Sequence, residues 1–412
     1  MIHLPPALHH HKFTLLWLSL LLSMAGTQMQ LTTLLWHLRL LSDQPLVVSG
    51  IGLVRVLPII ALSPFAGLAA DRFNRRTILF FTQSIMIFVS MMLAVLTFWG
   101  VIQVWQIYLL TAIQSLAFVF DMPSRMALIP NLVPKDDLPS AFSMQSIAFN
   151  IGAVAGPGVS GLVIGYFGLG YVYLINAISF LAVMVALWLM GKIIHQKVMA
   201  TEGLRANLSS IREGFTFIRS KPIILSSMLL DFVATFFSSA NTLLPFVARD
   251  VLHVGEIQYG WLAAAQPIGA VSMGFFFSQR ERIQKQGKLL MGAVIVFGLG
   301  TAWFGLVTTF WWAMLALILI GAADTVSTII RNTIRQIQNP DYIRGRMVGV
   351  NQMFFSGGPQ LGEIEAGLAA QFLGVPFAIV SGGIGCVLGV VILAFVFPQL
   401  VRYRGDESTA AG

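Results

Sequence analysis

The chain has 412 residues, of which 57% are hydrophobic and only 10% are charged. Soluble domains carry about a quarter charged residues, so this composition excludes a soluble enzyme or binding module. The net charge of +8 does not indicate nucleic-acid binding, because the basic residues lie in short connections between long apolar runs. The single cysteine, Cys386, lies inside one such run, and we expect no disulfide framework, metal or cofactor.

Twelve apolar runs follow one another along the chain, each about as long as a helix that crosses a bilayer. A polar tail, His9–Lys12, precedes the first run, and we expect no cleavable signal peptide there. The sequence therefore predicts an all-α membrane protein with twelve transmembrane helices. The runs span residues 13–37, 45–70, 77–99, 101–121, 140–166, 170–190, 222–247, 256–279, 287–308, 310–331, 346–371 and 374–398.

The basic residues fall almost entirely on one side of the predicted membrane. Of the 25 lysines and arginines, only Arg39 and Arg249 lie on the opposite side, and Arg55 lies within a run. Because cytoplasmic loops of membrane proteins are enriched in lysine and arginine, both termini are predicted to be cytoplasmic. We expect a multi-pass protein of the plasma (inner) membrane.

The predicted helices form two bundles of six, residues 1–191 and 222–412, joined by a connection at 192–221. In that connection, apolar residues recur at helical spacing from Leu204 to Ile218, which predicts an amphipathic helix at the cytoplasmic interface. The connection is interpreted as a linker; the alternative is a separate regulatory segment.

The two halves resemble each other at an offset of 206 residues. This offset places Arg125 on Arg331 and Gly156 on Gly362, and in each half an aspartate, Asp121 or Asp324, ends an apolar run. Two pseudo-symmetric six-helix bundles in a parallel repeat are the arrangement that a transporter with a central cavity requires.

A short charged turn connects the second and third runs, from Gly67 to Arg76. Gly67 permits close helix packing, and Asp71 is suited to a helix N-terminus or an arginine partner. The spacing of Gly67, Asp71, Arg72 and Arg76 resembles the loop between helices two and three of the major facilitator superfamily. The resemblance implies the major facilitator fold.

By that resemblance, Asp71 and Arg72 latch the cytoplasmic side and change partners during transport, and Arg76 is a further gating candidate. The alternative is that the arginines serve topology alone. Asn74 stands where the superfamily usually has glycine, and we expect the turn to survive because asparagine tolerates left-handed backbone. The matching turn in the second half has Gln279 in place of the aspartate.

The fifth run contains glycines four and five residues apart and a proline, Pro157. Gly152, Gly156 and Gly161 create a smooth face for close helix packing, and Pro157 kinks the helix. The pattern resembles the antiporter motif of the superfamily, with Ser160 replacing a glycine. The resemblance implies an exporter-type gate; the alternative is ordinary small-residue packing.

Ionisable residues within the runs are costly in a bilayer and are therefore functional candidates. Asp231 is predicted near mid-membrane, either as a coupling carboxylate or as a structural acceptor. Asp324 is either a substrate contact or a partner of Arg331. Arg55 is favoured as a structural or gating residue over a substrate contact.

Two carboxylates, Glu363 and Glu365, lie two residues apart in the eleventh run and point to different faces of a helix. Glu363 is the preferred cavity residue because it occupies the repeat position of Pro157. Amides within the runs are further candidates for lining a cavity or bridging helices: Gln28, Gln30, Gln114, Asn241 and Gln266.

The stretch from Asp121 to Ala141 resembles the bacterial branch of the superfamily that includes enterobactin exporters. The resemblance implies a proton-driven exporter of small amphipathic molecules, of siderophore or drug type, acting as a monomer. The fourth run lacks the arginine followed by Gln-Gly of many proton-coupled antiporters, so the coupling carboxylate is assigned to Asp231. No nucleotide-binding or hydrolase motif occurs, and we expect no enzyme activity and no nucleic-acid partner. The alternatives are a lysophospholipid flippase and a transport-inactive membrane sensor.

Overall fold

A computed structural model describes residues 5–191, 216–238, 241–279, 284–338 and 358–405 of the protein. Most of the predicted amphipathic linker helix, the end of the turn after Gln279 and the first part of the eleventh run lie outside these residues. The backbone of the first charged turn is described, but the side chains of Asp71 and Arg72 and the surroundings of Gly67 lie outside the described part.

All regular structure in the described part of the chain is helical. Its twelve long helices are α1 (His11–Leu41), α2 (Pro45–Arg72), α3 (Arg75–Phe98), α4 (Val104–Leu128), α5 (Leu138–Phe167), α6 (Leu169–Leu189), α7 (Pro222–Phe237), α8 (Glu256–Ser278), α9 (Gln286–Leu306), α10 (Phe310–Gln338), α11 (358–373) and α12 (Val375–Val396). Each coincides with one of the predicted apolar runs.

Ten segments in the described residues are long and apolar enough to cross a membrane. α1 is not among them, although it has 31 residues, because its second half carries several glutamines and threonines. α11 is described only over 358–373. The prediction of an all-α, multi-pass membrane protein is thus confirmed, while the count of twelve spans stays a prediction.

Local sequence signals explain where several helices begin and end. The side chain of Asn74 accepts a hydrogen bond from the backbone N–H of Arg76 at 3.0 Å and caps α3. Asn74 has a φ of −65°, so the turn does not use the left-handed backbone that we expected at this residue. Gly168 and Gly374 follow α5 and α11 with φ values of +96° and +89°, which favour glycine. These two glycines are separated by the 206 residues of the internal repeat.

The segment after α7 departs from a regular helix. α7 ends at Phe237, and short turns of helix at Asn241–Leu243 and Leu244–Phe246 lead into a π-helical turn at Val247–Val251. The regular α-helix of the predicted seventh span therefore ends at Phe237, and the described residues from Asn241 onwards form short turns of other helical types. Helix interruptions and π-helical turns are frequent at functional sites.

The chain divides into two compact units by its internal packing. Unit 1 contains Met1–Ser42, Val54–Thr201 and Gly255–Ala264, and unit 2 contains Asp43–Leu53, Glu202–Val254 and Ala265–Gly412. The start of α2 thus packs in unit 2, and the start of α8 packs in unit 1. The two exchanged segments occupy equivalent positions of the internal repeat.

Each unit has its own apolar core. In unit 1, α1 packs on α5 and α6, and α3 packs on α4 and α6, around buried residues such as Leu16, Leu79 and Leu187. In unit 2, α9 packs on α10 and α12, around Leu290, Ile330 and others. Small residues permit these close contacts between helices.

The segment that leads into α1 forms contacts with another helix of unit 1. His10 lies 2.7 Å from the carboxylate of Asp137, and Ala7 is fully buried with its N–H bonded to Ser140. The tail therefore packs against the start of α5.

Candidate functional site

A cluster of charged residues lies inside unit 2, where α7 and α10 meet. Nη1 of Arg331 lies 2.5 Å from the Oδ1 of Asp231, and Nη2 of Arg331 lies 3.7 Å from the Oδ1 of Asp324. The side chains of Asp231 and Arg331 are 5% and 3% exposed, whereas that of Asp324 is 50% exposed. One buried arginine is thus shared between a buried carboxylate and a half-exposed one.

The sequence left two alternatives for Asp324, a substrate contact or a partner of Arg331. The distance of 3.7 Å between the Asp324 and Arg331 side chains favours the second. Sequence alone did not identify the partner of Asp231, because that partner lies a hundred residues away on another helix. Arg335 lies one turn further along α10 and donates to the side chain of Asn332 at 2.9 Å. It adds a second positive charge beside the cluster.

The charge balance of this cluster defines what it can do chemically. With both carboxylates ionised, their two negative charges are balanced only when Arg335 is counted together with Arg331. Charges in a low-dielectric interior are costly unless they are paired. Protonation of one carboxylate, or binding of a cationic group beside it, therefore changes which carboxylate pairs with Arg331.

Unit 1 contains a related pair that the sequence analysis did not single out as a site. Arg125, the repeat equivalent of Arg331, bonds through Nε to Asp121 on the same helix. Thr82 and Gln83 of α3 donate to the other carboxylate oxygen at 2.9 and 2.7 Å. All four residues are buried, so this pair has the bonding of a structural contact between α3 and α4.

The amides predicted for a cavity have different surroundings. Gln30 donates to Gln114 at 2.5 Å and accepts bonds from Ser90 at 2.9 Å and Asn176 at 2.6 Å. Gln30 thereby joins α1, α3, α4 and α6 within unit 1. Gln30 and its partner Gln114 therefore bridge helices, which was the alternative to lining a cavity. Gln28 is half-buried on α1.

Asn241 and Gln266 lie together at the interruption after α7. With Ser238 and Thr301 they line a cavity of about 10 Å³ inside unit 2, the size that one water molecule requires. The hydroxyl of Ser238 is buried and has no hydrogen-bond partner among the described residues. At that volume the cavity is too small for a substrate.

The glycines of α5 pack against two other helices of unit 1. A Cβ at Gly152 or Gly156 would meet the backbone of α1 at 3.0 and 2.9 Å. A Cβ at Gly161 would lie 2.9 Å from the Cα of Gly260 in α8, and one at Gly260 would lie 2.7 Å from the carbonyl oxygen of Pro157. Real Cβ atoms are essentially never found below 3.0 Å, so this packing requires glycine at Gly156, Gly161 and Gly260, and a side chain at Gly152 would displace α1 slightly.

Aromatic residues extend the contact between α1 and the start of α8. The hydroxyl of Tyr259 donates to the backbone carbonyl of Thr32 at 2.9 Å, and its ring stacks on Trp36 at 4.7 Å. Ser160, the residue that departs from the antiporter motif, lies 3.0 Å from the hydroxyl of Thr33. The sequence did not predict that Tyr259 contacts Thr32 and Trp36, because it does not show which helix packs against the start of α8.

Two basic residues at the end of the first charged turn bond to the ends of other helices. Arg75 donates to the carbonyl of Ala127 at 2.6 Å, and Arg76 donates to that of Leu187 at 3.0 Å. These carbonyls lie at the C-terminal ends of α4 and α6, where positive charge is favoured. Arg75 and Arg76 therefore hold helix ends in unit 1, in addition to any role in topology.

Glu363 and Glu365 face different environments on α11, as their spacing predicted. Glu363 is 8% exposed, and a Cβ added at Gly52 would lie 2.5 Å from its Oε2. Glu365 is partly exposed and lines an apolar groove. Arg55 is half-buried on the part of α2 that belongs to unit 1.

Comparison with known proteins agrees with this architecture. The family model for transmembrane secretion effectors of the major facilitator superfamily matches residues 4–408. An uncharacterised transporter of this superfamily from Bacillus subtilis, YfiS, is 28% identical over 86% of this chain and 85% of its own length.

Two further relatives are named as exporters. The enterobactin exporter EntS of Citrobacter koseri is 25% identical over 72% of this chain and 70% of its own length. The multidrug efflux pump Tap of Mycolicibacterium fortuitum is 24% identical over 85% of this chain and 87% of its own length.

Among solved structures, the nucleoside transporter NupG superposes with a TM-score of 0.65, covering 95% of this chain and 99% of that one at 18% identity. This likeness concerns the fold alone. Because the family model spans nearly the whole chain and the helices have the same arrangement, the chain belongs to the transmembrane secretion effector family of major facilitator transporters.

Proposed function

We propose that this transporter is a secondary active exporter of small amphipathic molecules, driven by exchange with protons. It would act as a monomer in the inner membrane, with both termini in the cytoplasm. The names of two relatives, an enterobactin exporter and a multidrug efflux pump, support export of siderophore- or drug-like molecules.

The observation that carries the coupling proposal is the sharing of Arg331 between Asp231 and Asp324. Asp324 is half-exposed and can meet a proton or a substrate cation, while Asp231 is buried and depends on Arg331. When Asp231 is protonated, Arg331 is released towards Asp324, and the contact between α7 and α10 loses an ion pair. Proton binding thereby changes the packing of two helices, which is what coupling requires.

Gating is assigned to two regions of small and charged residues. The first region is on α5, where small residues allow α1 and the start of α8 to pack closely: Gly152, Gly156, Pro157 and Gly161. We propose that α8 moves away from α5 when access to the transport pathway changes from one side of the membrane to the other. At the charged turn, Gly67, Asp71, Arg72 and Arg76 are proposed to act on the cytoplasmic side.

The remaining sequence candidates complete the proposed pathway. Gln28 is proposed as a polar contact for substrate, Gln114 and Asn241 as supporting polar residues between helices, Glu363 as a second intramembrane carboxylate and Arg55 as a gating residue. Their individual contributions are expected to be smaller than that of Asp231.

An efflux screen tests the proposal. Cells that lack their major efflux pumps are loaded with a panel of cationic, anionic and neutral fluorescent amphiphiles, and export is followed with and without a protonophore. We expect protonophore-sensitive export of at least one compound, lost in Asp231→Asn and retained in Asp136→Asn, a carboxylate on the exposed surface of unit 1. Export that continues at the same rate with the protonophore would contradict proton coupling.

A further inference from the structure

An open groove runs beside α11 in unit 2, apart from the Arg331 cluster. It has a volume of about 460 Å³ and is lined by Phe236 of α7 and by Leu361, Glu365, Leu368 and Phe372 of α11, among others. Ligand pockets for small molecules have volumes of about 300 to 1,000 Å³ and a largely apolar lining with few polar groups. This groove fits that description.

The α11 residues of the groove share one face of the helix. Leu361, Glu365, Leu368 and Phe372 follow one another at spacings of four, three and four residues. Leu361, Leu368 and Phe372 are 48%, 42% and 80% exposed, so this face is not covered by the protein that the structure describes. Glu363 lies on a different face and is buried.

Glu365 is the ionisable residue of this groove. No described residue forms a hydrogen bond or an ion pair with its carboxylate, in contrast to Asp231 and Asp121. A carboxylate in an apolar surface is costly unless a proton or a cation neutralises it. The carboxylate and the apolar lining of the groove together suit a cation that carries apolar groups.

The aromatic wall of the groove is held in a fixed position. Phe236 stacks on Phe232 with ring centroids 5.6 Å apart, and Phe237 meets it edge-on at 5.1 Å. Gly362 allows the backbone carbonyl of Phe236 to lie directly against α11. Aromatic faces attract cations as well as apolar groups.

We propose that this groove binds a lipophilic cation, an ammonium group carrying alkyl or aryl substituents, which enters from the bilayer and pairs with Glu365. The substituents cover the exposed leucines and Phe372, and the cation lies between Glu365 and the aromatic wall. An anion would be repelled by the ionised carboxylate, and a neutral lipid would provide no counter-charge, which would leave a proton to neutralise Glu365. The site is separate from the coupling cluster and goes beyond the proposed function by selecting cations.

Photoaffinity labelling in nanodiscs of zwitterionic phosphatidylcholine tests this site. Three probes share one dodecyl chain with a diazirine and differ in the head group: trimethylammonium, sulfonate or hydroxyl. Labelled peptides from α7 and α11 are quantified by mass spectrometry relative to peptides from α3, which serve as a reference for the lipid-exposed surface.

We expect saturable labelling of α7 and α11 by the ammonium probe alone. Glu365→Gln should reduce it about tenfold, the loss of one charge-assisted contact. Glu365→Asp should retain part of the labelling, and Asp136→Asn should leave it unchanged. Leu368→Trp, which fills the groove and keeps the carboxylate, should block the probe.

Equal labelling by the sulfonate or hydroxyl probe, or unchanged labelling in Glu365→Gln, would overturn the proposal in favour of an ordinary lipid-covered surface. The thermal unfolding midpoint of each variant shows that it is folded. Labelling needs no pH gradient, so a chain that binds the ammonium probe but exports nothing would contradict the proposed function and leave this site in place.

Discussion

Arg331 is the residue on which the proposed coupling depends, because two carboxylates compete for it. Its distances of 2.5 Å to Asp231 and 3.7 Å to Asp324 define a stronger and a weaker partner. Asp324, the weaker partner, is also the carboxylate whose side chain is half-exposed. Loss of each carboxylate should therefore have different consequences.

We predict that Asp231→Asn destabilises unit 2 by about 3 kcal/mol, because it leaves a buried arginine without its nearest counter-charge. Asp324→Asn should cost about 1 kcal/mol or less, since that carboxylate is half-exposed and further from Arg331. Denaturant unfolding of the purified protein in detergent measures both. An equal or larger effect of Asp324→Asn would show that the two partners are assigned in the wrong order.

Gln30 connects four helices of unit 1 through three hydrogen bonds. Gln30→Leu keeps the size of the side chain but removes these bonds and leaves Asn176 and Ser90 buried without this partner. We predict a loss of about 2 kcal/mol in the free energy of unfolding.

Ser84→Ala is the control for Gln30→Leu, because Ser84 lies on the exposed surface of α3 and bonds only weakly beyond its own helix. It should change the unfolding free energy by less than about 0.5 kcal/mol. If both substitutions had the same small effect, Gln30 would not be the structural centre of unit 1.

The sequence identified individual polar and charged residues but did not show which residues they pair with. The intramembrane charges Asp231, Asp324 and Arg331 stand out in an apolar chain, because each is costly in hydrocarbon. Asp231 pairs with Arg331 because α7 packs against α10. Hydropathy does not specify which helices pack against each other. For the same reason Gln30 could be identified only as a polar residue within a span.

At the scale of helices, the contact between α5 and the start of α8 is the feature most relevant to gating. It depends on the absence of side chains at Gly161 and Gly260, as the added-Cβ distances of 2.7 to 2.9 Å show. Gly158, on the same helix, would meet only ring atoms of Trp261 at 3.8 Å and is therefore a matched control.

We predict that Gly161→Ala and Gly260→Ala push the start of α8 away from α5, whereas Gly158→Ala does not. Leu262→Cys, at a fully buried position of α8, reports this in a Cys386→Ala background. A membrane-impermeant thiol reagent should label this cysteine about tenfold faster with either of the first two substitutions, if opening costs about 1.4 kcal/mol less. Unchanged labelling would contradict a steric role of these glycines.

The turns after α5 and α11 show which glycines the backbone itself requires. Gly168 and Gly374 have φ values of +96° and +89° and open space around the missing side chain. Gly168→Ala and Gly374→Ala should each destabilise by about 1 kcal/mol through backbone strain alone.

Gly292→Ala is the comparison for these turns, since Gly292 lies inside α9 and has nothing within 4 Å of an added Cβ. Alanine is favoured over glycine by about 1 kcal/mol in a helix interior, so this substitution should be neutral or stabilising. Thermal unfolding distinguishes the two outcomes, and destabilisation by Gly292→Ala would indicate a close neighbour.

Helix positions were the most predictable feature of the fold, since runs of about 20 apolar residues have few alternatives in a membrane. The exceptions have local causes. Polar residues in the second half of α1 reduce its apolar character, and the end of α7 at Phe237 lies inside a run that hydropathy predicts to continue to residue 247.

For the whole molecule, the internal repeat explains both similarity and difference between the two units. Arg125 and Arg331 occupy equivalent positions and both are paired with aspartate. In unit 1 the aspartate is also held by Thr82 and Gln83, while in unit 2 the arginine is shared by two carboxylates. One arginine–aspartate pair is thus held by two further donors, and in the other the arginine is shared by two carboxylates. This difference is the reason why we propose proton coupling in unit 2.

The direct test of proton coupling is the exchange itself, measured with purified protein in proteoliposomes that enclose a pH-sensitive dye. An outward gradient of the compound identified in the efflux screen is imposed without any initial pH difference. We predict that movement of the compound drives protons in the opposite direction, and that Asp231→Asn abolishes this proton movement while Asp136→Asn does not. Movement of the compound with no change in internal pH, or unchanged proton movement in Asp231→Asn, would contradict the account.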